Sequence, residues 1–268
     1  MMKRKLLVLF MLLSGMSCFA GSQEYEKGIR YISTDDAYLA EKCLLDVAYE
    51  KGGHDRPVIV WFHGGGLTSG NRSCPAALLR DGAVVVGVGY PFADMVGIAD
   101  ILDAAAAAVS WTIGNAAKYG GNPGKVYIAG HSAGGYIVNM LGLDKRYLAK
   151  YGVDPDSDLA GIVPYSGQVI THFAHRRKQG IPELTPVVDS LAPLYHVRGD
   201  AAPMLVISGD PELELYGRYE ETAYFVRMMR LNGHGDIAFH RLDGFGHGDM
   251  AEPGHLLLLK YIKERNGK

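Results

Sequence analysis

Hydrophobic residues come in short, nearly unbroken runs along this chain, and the runs alternate with longer stretches of helical spacing. Residues 44–49 and 57–62 are β-rich, and Gly52-Gly53-His54-Asp55 between them reads as a hairpin-like turn. Residues 83–89 are continuously small and apolar, the pattern of a strand buried on both faces. Residues 98–118 are Ala-rich without Pro and read as a helix, closed by Gly120-Gly121-Asn122-Pro123-Gly124. A buried strand over 126–130 leads directly into a helix over 133–143. Strands follow at 159–165, 204–208 and 237–242, with helices at 216–232 and 254–264. This alternation predicts an α/β fold: a mostly parallel sheet with helices on both faces. Between residues 168 and 200 the periodicity fades, around Pro182, Pro186 and Pro193. A connection of that length is unusual unless functional, and it predicts a short, irregular, cap-like segment. The Arg176-Arg177-Lys178 cluster inside it reads as a solvated face.

Composition narrows the class. The chain has 268 residues, 48% hydrophobic and 21% charged, which is enough to bury a core and too apolar for disorder. Lys+Arg 27 against Asp+Glu 29 leaves no basic excess for nucleic acid. Lys3, Arg4 and Lys5 precede an apolar stretch over 6–13 and a small-residue end at Cys18-Phe19-Ala20. That stretch is too short to span a bilayer and predicts a cleaved export signal over 1–20, with a lipid anchor at Cys18 as the alternative. One α/β domain then covers 21–268, its core about 44–264. Cys43 and Cys74 are expected as two separate thiols.

Three tempting motifs fail. Gly87-Val88-Gly89 follows a strand as a dinucleotide fingerprint would, but Pro91 breaks the helix start and the third Gly is missing. Gly124-Lys125 lacks both the upstream Gly and the following Ser or Thr of a P-loop. His172 and His175 have no supporting acid or Cys cluster for a metal. The chemistry read here needs neither metal nor organic cofactor.

Gly130-His131-Ser132-Ala133-Gly134 survives, because this G-x-S-x-G lies between a buried strand and a helix. Such a turn exposes the Ser132 hydroxyl, and the helix N-terminus behind it favours developing negative charge. His63-Gly64-Gly65-Gly66 follows an earlier strand. The amides of Gly64 and Gly65, with that of Ala133, form a candidate oxyanion hole. Among ten histidines, His247 in Gly244-Phe245-Gly246-His247-Gly248 stands after the last strand, where a loop can reach Ser132. Three acids follow the strand at 204–208, namely Asp210, Glu212 and Glu214.

In order, the HGGG, GHSAGG and GFGH segments resemble the α/β-hydrolase superfamily. Within it, the chain is similar to HGGG-loop carboxylesterases, the hormone-sensitive-lipase-like group and the feruloyl and acetyl-xylan esterases. The resemblance implies Ser132 as nucleophile, His247 as base and Gly64, Gly65 and Ala133 as oxyanion donors. Its usual acid lies three residues after a Gly, which favours Glu212, with Asp210 as the alternative and Glu214 behind both. It implies hydrolysis of a small-molecule or glycan ester through an acyl-enzyme. A formamidase- or peptidase-type hydrolase and a non-catalytic binding protein are the rival readings. Trp61, Tyr90, Phe92, Tyr136 and Tyr165 lie near strand ends, where aromatic residues are more often core than pocket.

Overall fold

A computed structural model describes residues 22–267; the export signal expected over 1–20, and the alternative of an anchor at Cys18, lie outside the described residues. The strands are β1 (Gln23–Arg30), β2 (Leu44–Glu50), β3 (Arg56–Phe62), β4 (Val84–Val88), β5 (Gly121–His131), β6 (Gly161–Tyr165), β7 (Met204–Ser208) and β8 (Ile237–Arg241). The helices are α1 (Ala37–Lys42), α2 (Ile98–Asn115), α3 (Ala133–Leu143), α4 (Lys145–Ala149), α5 (Pro155–Asp158), α6 (Phe173–Lys178), α7 (Arg218–Leu231) and α8 (Ala251–Asn266). The strands form one sheet in the order β1-β2-β4-β3-β5-β6-β7-β8. β1 and β2 run antiparallel to their neighbours, and every later pair is parallel.

The apolar runs account for this order. On β3, Val58, Val60 and Phe62 join the core on one sheet face while Ile59 and Trp61 join the core on the other. A strand apolar on both faces belongs in the middle of the sheet. The first core receives α2, α3 and α7, the second α8. Every residue of α3 is buried, so this helix is the centre of one layer.

Three local expectations change. β2 and β3 do not form a hairpin: β4 lies between them, because the doubly buried β3 pairs with parallel neighbours on both sides. β1 escapes the apolar pattern because it is an edge strand with half-covered, polar-rich positions. α8 begins at Ala251, with Pro253 in its first turn, where a missing N–H costs nothing. Segment 168–200 is irregular apart from α6 and a short turn at Pro193–His196. Cys43 and Cys74 are both free. No helix among the described residues is long and apolar enough to cross a membrane.

Candidate active site

Parallel pairing brings the C-terminal ends of β3, β5, β6, β7 and β8 to one edge of the sheet. β5 ends at His131, and the chain reverses at Ser132, which has φ 57° and ψ −113°. That conformation costs a non-glycine residue roughly 1–3 kcal/mol and persists only where surroundings enforce it. Here Ser132 N–H donates to Tyr165 O at 2.8 Å, and Tyr136 N–H donates to Ser132 O at 2.9 Å. α3 starts hard against β3. A Cβ on Gly134 would lie 2.0 Å from Phe62 O, and one on Gly130 would lie 2.5 Å from Gly134 C. Glycine at both positions is what lets the turn carrying Ser132 form.

His247 stands in the loop after β8, its Nε2 2.9 Å from Ser132 Oγ. Its Nδ1 lies 2.8 Å from Glu214 Oε2. Glu214 is therefore the acid that the structure pairs with the imidazole, and not Glu212 or Asp210. The reason is a helical turn after β7: Leu213 N–H and Glu214 N–H both donate to Asp210 O. The turn leaves Glu212 exposed and returns Glu214 beneath His247. Asp210 braces the loop instead, accepting Gly244 N–H at 2.8 Å and Glu212 N–H at 3.0 Å. Burial opposes ionisation of Glu214. Hydrogen bonds from His247, Ser166 and Gly209 N–H outweigh it and hold the carboxyl down at about 2.

Two residues that the sequence reading did not single out complete this cluster. Ser166 follows β6 with φ 46°, is 1% exposed, and places its Oγ 2.9 Å from His247 Nδ1. Its hydroxyl also bonds to Glu214, so it lies against both partners of the acid–imidazole contact. The Ser166-Gly167 step directly after a buried strand was the available signal. His131 is the second. Its Nε2 donates to His247 O at 2.7 Å, and a carbonyl only accepts, so the proton sits on Nε2. Burial, reinforced by the nearby His247, lowers His131 to about 4. It is therefore neutral near pH 7, which matters because the two rings lie 4.8 Å apart.

The glycine loop after β3 lies alongside. A Cβ on Gly64 would come within 3.4 Å of Ser132 Cβ, so this backbone runs past the hydroxyl. Gly65 has φ 113°, and a Cβ there would meet Ser69 O at 2.0 Å. Among the described residues, no acceptor takes the N–H of Gly64, Gly65 or Ala133. His63 is buried, stacks on Tyr90 at 4.3 Å, and its carbonyl accepts the Tyr90 hydroxyl at 2.7 Å. Tyr90, Trp61, Tyr136 and Tyr165 are core residues, while Phe92 is half-buried. His172 Nδ1 caps α6 by accepting Ala174 N–H. Arg176 is not solvated as its sequence context implied: it is 2% exposed and donates to carbonyls of Thr171 and Glu183, which folds the 171–183 segment around it. Arg177 and Lys178 do face outward.

The structure of a truncated form of a carbohydrate esterase from gut microbiota superposes on 91% of this chain and 97% of its own, with TM-score 0.75 and 18% identity. Esterase 2 of Thermogutta terrifontis, phosphorylated by paraoxon, superposes on 90% of this chain and 94% of its own, with TM-score 0.69 and 20% identity. The chain has the α/β-hydrolase fold. The family profile described as BD-FAE matches residues 45–167 of the chain, from β2 past Ser166. Cocaine esterase of Oryctolagus cuniculus is 38% identical over 118 residues, which is 38% of this chain and 22% of that protein. Esterase LipC of Mycobacterium tuberculosis is 25% identical over 229 residues, 76% of this chain and 56% of that protein. The chain spans 20–24% of the length of the first three curated relatives it matches.

Proposed function

We propose that this α/β-hydrolase is a serine carboxylesterase that works through an acyl-enzyme. One observation carries the reading: Ser132 Oγ, His247 and Glu214 form a continuous chain of contacts of 2.9 and 2.8 Å at the strand ends, beside unengaged backbone amides. In this mechanism His247 Nε2 takes the Ser132 proton as Oγ attacks the ester carbonyl. Glu214 holds Nδ1–H and stabilises the imidazolium. The carbonyl oxygen becomes an oxyanion facing the amides of Gly64, Gly65 and Ala133, each worth about 2.7–4 kcal/mol in the transition state. His247 then protonates the leaving alkoxide, and water repeats the sequence on the acyl-enzyme. The esterase names among the relatives support the reaction class. The carbohydrate-esterase neighbour and the leader over 1–20 support an exported enzyme that removes acyl groups from glycans.

A fluorophosphonate tests the reaction class. Intact protein should gain the mass of one adduct, and Ser132→Ala should gain none. Absence of an adduct on the intact chain would overturn the reading. Aryl acetates assayed against aminoacyl amides then separate an esterase from the amide-cleaving alternatives.

A further inference from the structure

A cavity of about 400 Å³ opens between the cap-like segment and the start of α7. Phe173, Leu184 and Tyr216 form its walls, and Gln168, Arg218 and Glu221 line it with polar groups. It adjoins the reactive cluster at three points. The Phe173 ring packs against Gly66, where an added Cβ would lie 2.9 Å from it. Arg218 Nη1 donates to the carbonyl of Ser166, whose hydroxyl contacts His247. The lining residue Leu215 directly follows Glu214.

The polar groups of this cavity are only partly used by the protein. Gln168 is 6% exposed and spends its Oε1 on Phe173 N–H, while its amide nitrogen has no partner among the described residues. Glu221 Oε1 lies 2.8 Å from Arg218 Nε, an ion pair without a well-aligned hydrogen bond. Burial lifts the Glu221 carboxyl to about 7 despite Arg218 and Arg176 nearby. An apolar chain entering here would leave the Gln168 amide nitrogen unpaired and would strip water from the Glu221–Arg218 ion pair with nothing to replace it. Adjacent hydroxyls would satisfy them, one donating to Glu221 and another accepting from Gln168 or Arg218. Aromatic walls suit the C–H faces of a sugar ring.

We infer that this cavity receives the alcohol half of the substrate, a sugar with free vicinal hydroxyls, and that Glu221, Gln168 and Tyr216 select it. The inference rests on the esterase reading and assigns one half of the ester to one cavity. Acetyl esters that share an acyl group and differ in alcohol test it: a panel of mono-acetylated methyl glycosides, ethyl acetate and 4-nitrophenyl acetate. The wild type should favour at least one glycoside acetate over ethyl acetate in kcat/KM. Glu221→Gln and Tyr216→Ala should each lower that glycoside value about ten-fold while changing 4-nitrophenyl acetate less than two-fold. Tyr216 is 85% exposed, so its removal leaves the fold intact. No preference for any glycoside, no effect of either variant, or an equal fall on both ester types overturns the inference. So does a loss that tracks acyl length on 4-nitrophenyl esters, because the cavity then holds the acyl half. A wild type inert to 4-nitrophenyl acetate and to fluorophosphonate fails the esterase reading instead, and the two failures stay distinct.

Discussion

Ser132 and Ser166 both hold left-handed backbone, φ 57° and 46°, on adjacent strand ends, and both hydroxyls meet the His247 ring. Two strained serines around one imidazole mean that main-chain geometry sets where its hydrogen-bonding partners lie. In the proposed mechanism Glu214, 2.8 Å from His247 Nδ1, takes the acid's role. Glu214→Gln should lower kcat roughly 10³–10⁴-fold, because the amide stabilises neither the right tautomer nor the imidazolium. Glu212→Gln should leave the rate near wild type, and steady-state kinetics on an aryl acetate compares the two. If Glu212 were the acid, the pattern would reverse. His131 acts on the position of the histidine loop through one half-buried hydrogen bond. His131→Phe keeps a ring there and removes the donor to His247 O. Its kcat should fall about ten-fold, the rate equivalent of about 1.4 kcal/mol, with KM little changed.

Among the elements, the junction of β5 with α3 decides whether the site exists. α3 approaches β3 so closely that Gly134 cannot carry a methyl group without displacing the Phe62 carbonyl. Gly134→Ala should destabilise the protein by about 3 kcal/mol or more, since the clash is with backbone and no rotamer relieves it. Urea unfolding measures this, and an unchanged midpoint would contradict the packing described. The loop after β7 matters equally. Its turn on Asp210 ties the Glu214 segment to Gly244, so one bracing side chain couples the acid's loop to the histidine's. Asp210→Ala should therefore cost activity by loosening both loops, while fluorophosphonate still labels Ser132 slowly.

For the whole molecule, buried neutral imidazoles set the response to acid. His255 is 3% exposed, packs on Trp61 at 4.9 Å, and is lowered to about 4 by burial. A base whose folded value lies below its unfolded value of about 6.5 binds protons more readily when unfolded. Its penalty is absent above pH 6.5 and grows as pH falls toward 4. Between pH 7 and 5 this one ring should cost about 2 kcal/mol, and His255→Phe, which retains the aromatic contacts, should abolish that part of the loss. Urea unfolding of both proteins at the two pH values shows it. The strand runs of β3 to β7 were legible because a doubly buried parallel strand needs consecutive apolar residues, and the G-x-S-x-G turn because only small residues fit it. β1 was not legible, since an edge strand in contact with water keeps its polar side chains. By itself the sequence determined the layered α/β architecture and the placement of Ser132 and His247 at strand ends, through local patterns that turn and strand sterics impose. Only the tertiary structure decided which of three neighbouring acids faces the imidazole, and that Ser166 and His131 join it. Those contacts depend on how a four-residue turn and separate strand ends meet in space, which no spacing along the chain encodes.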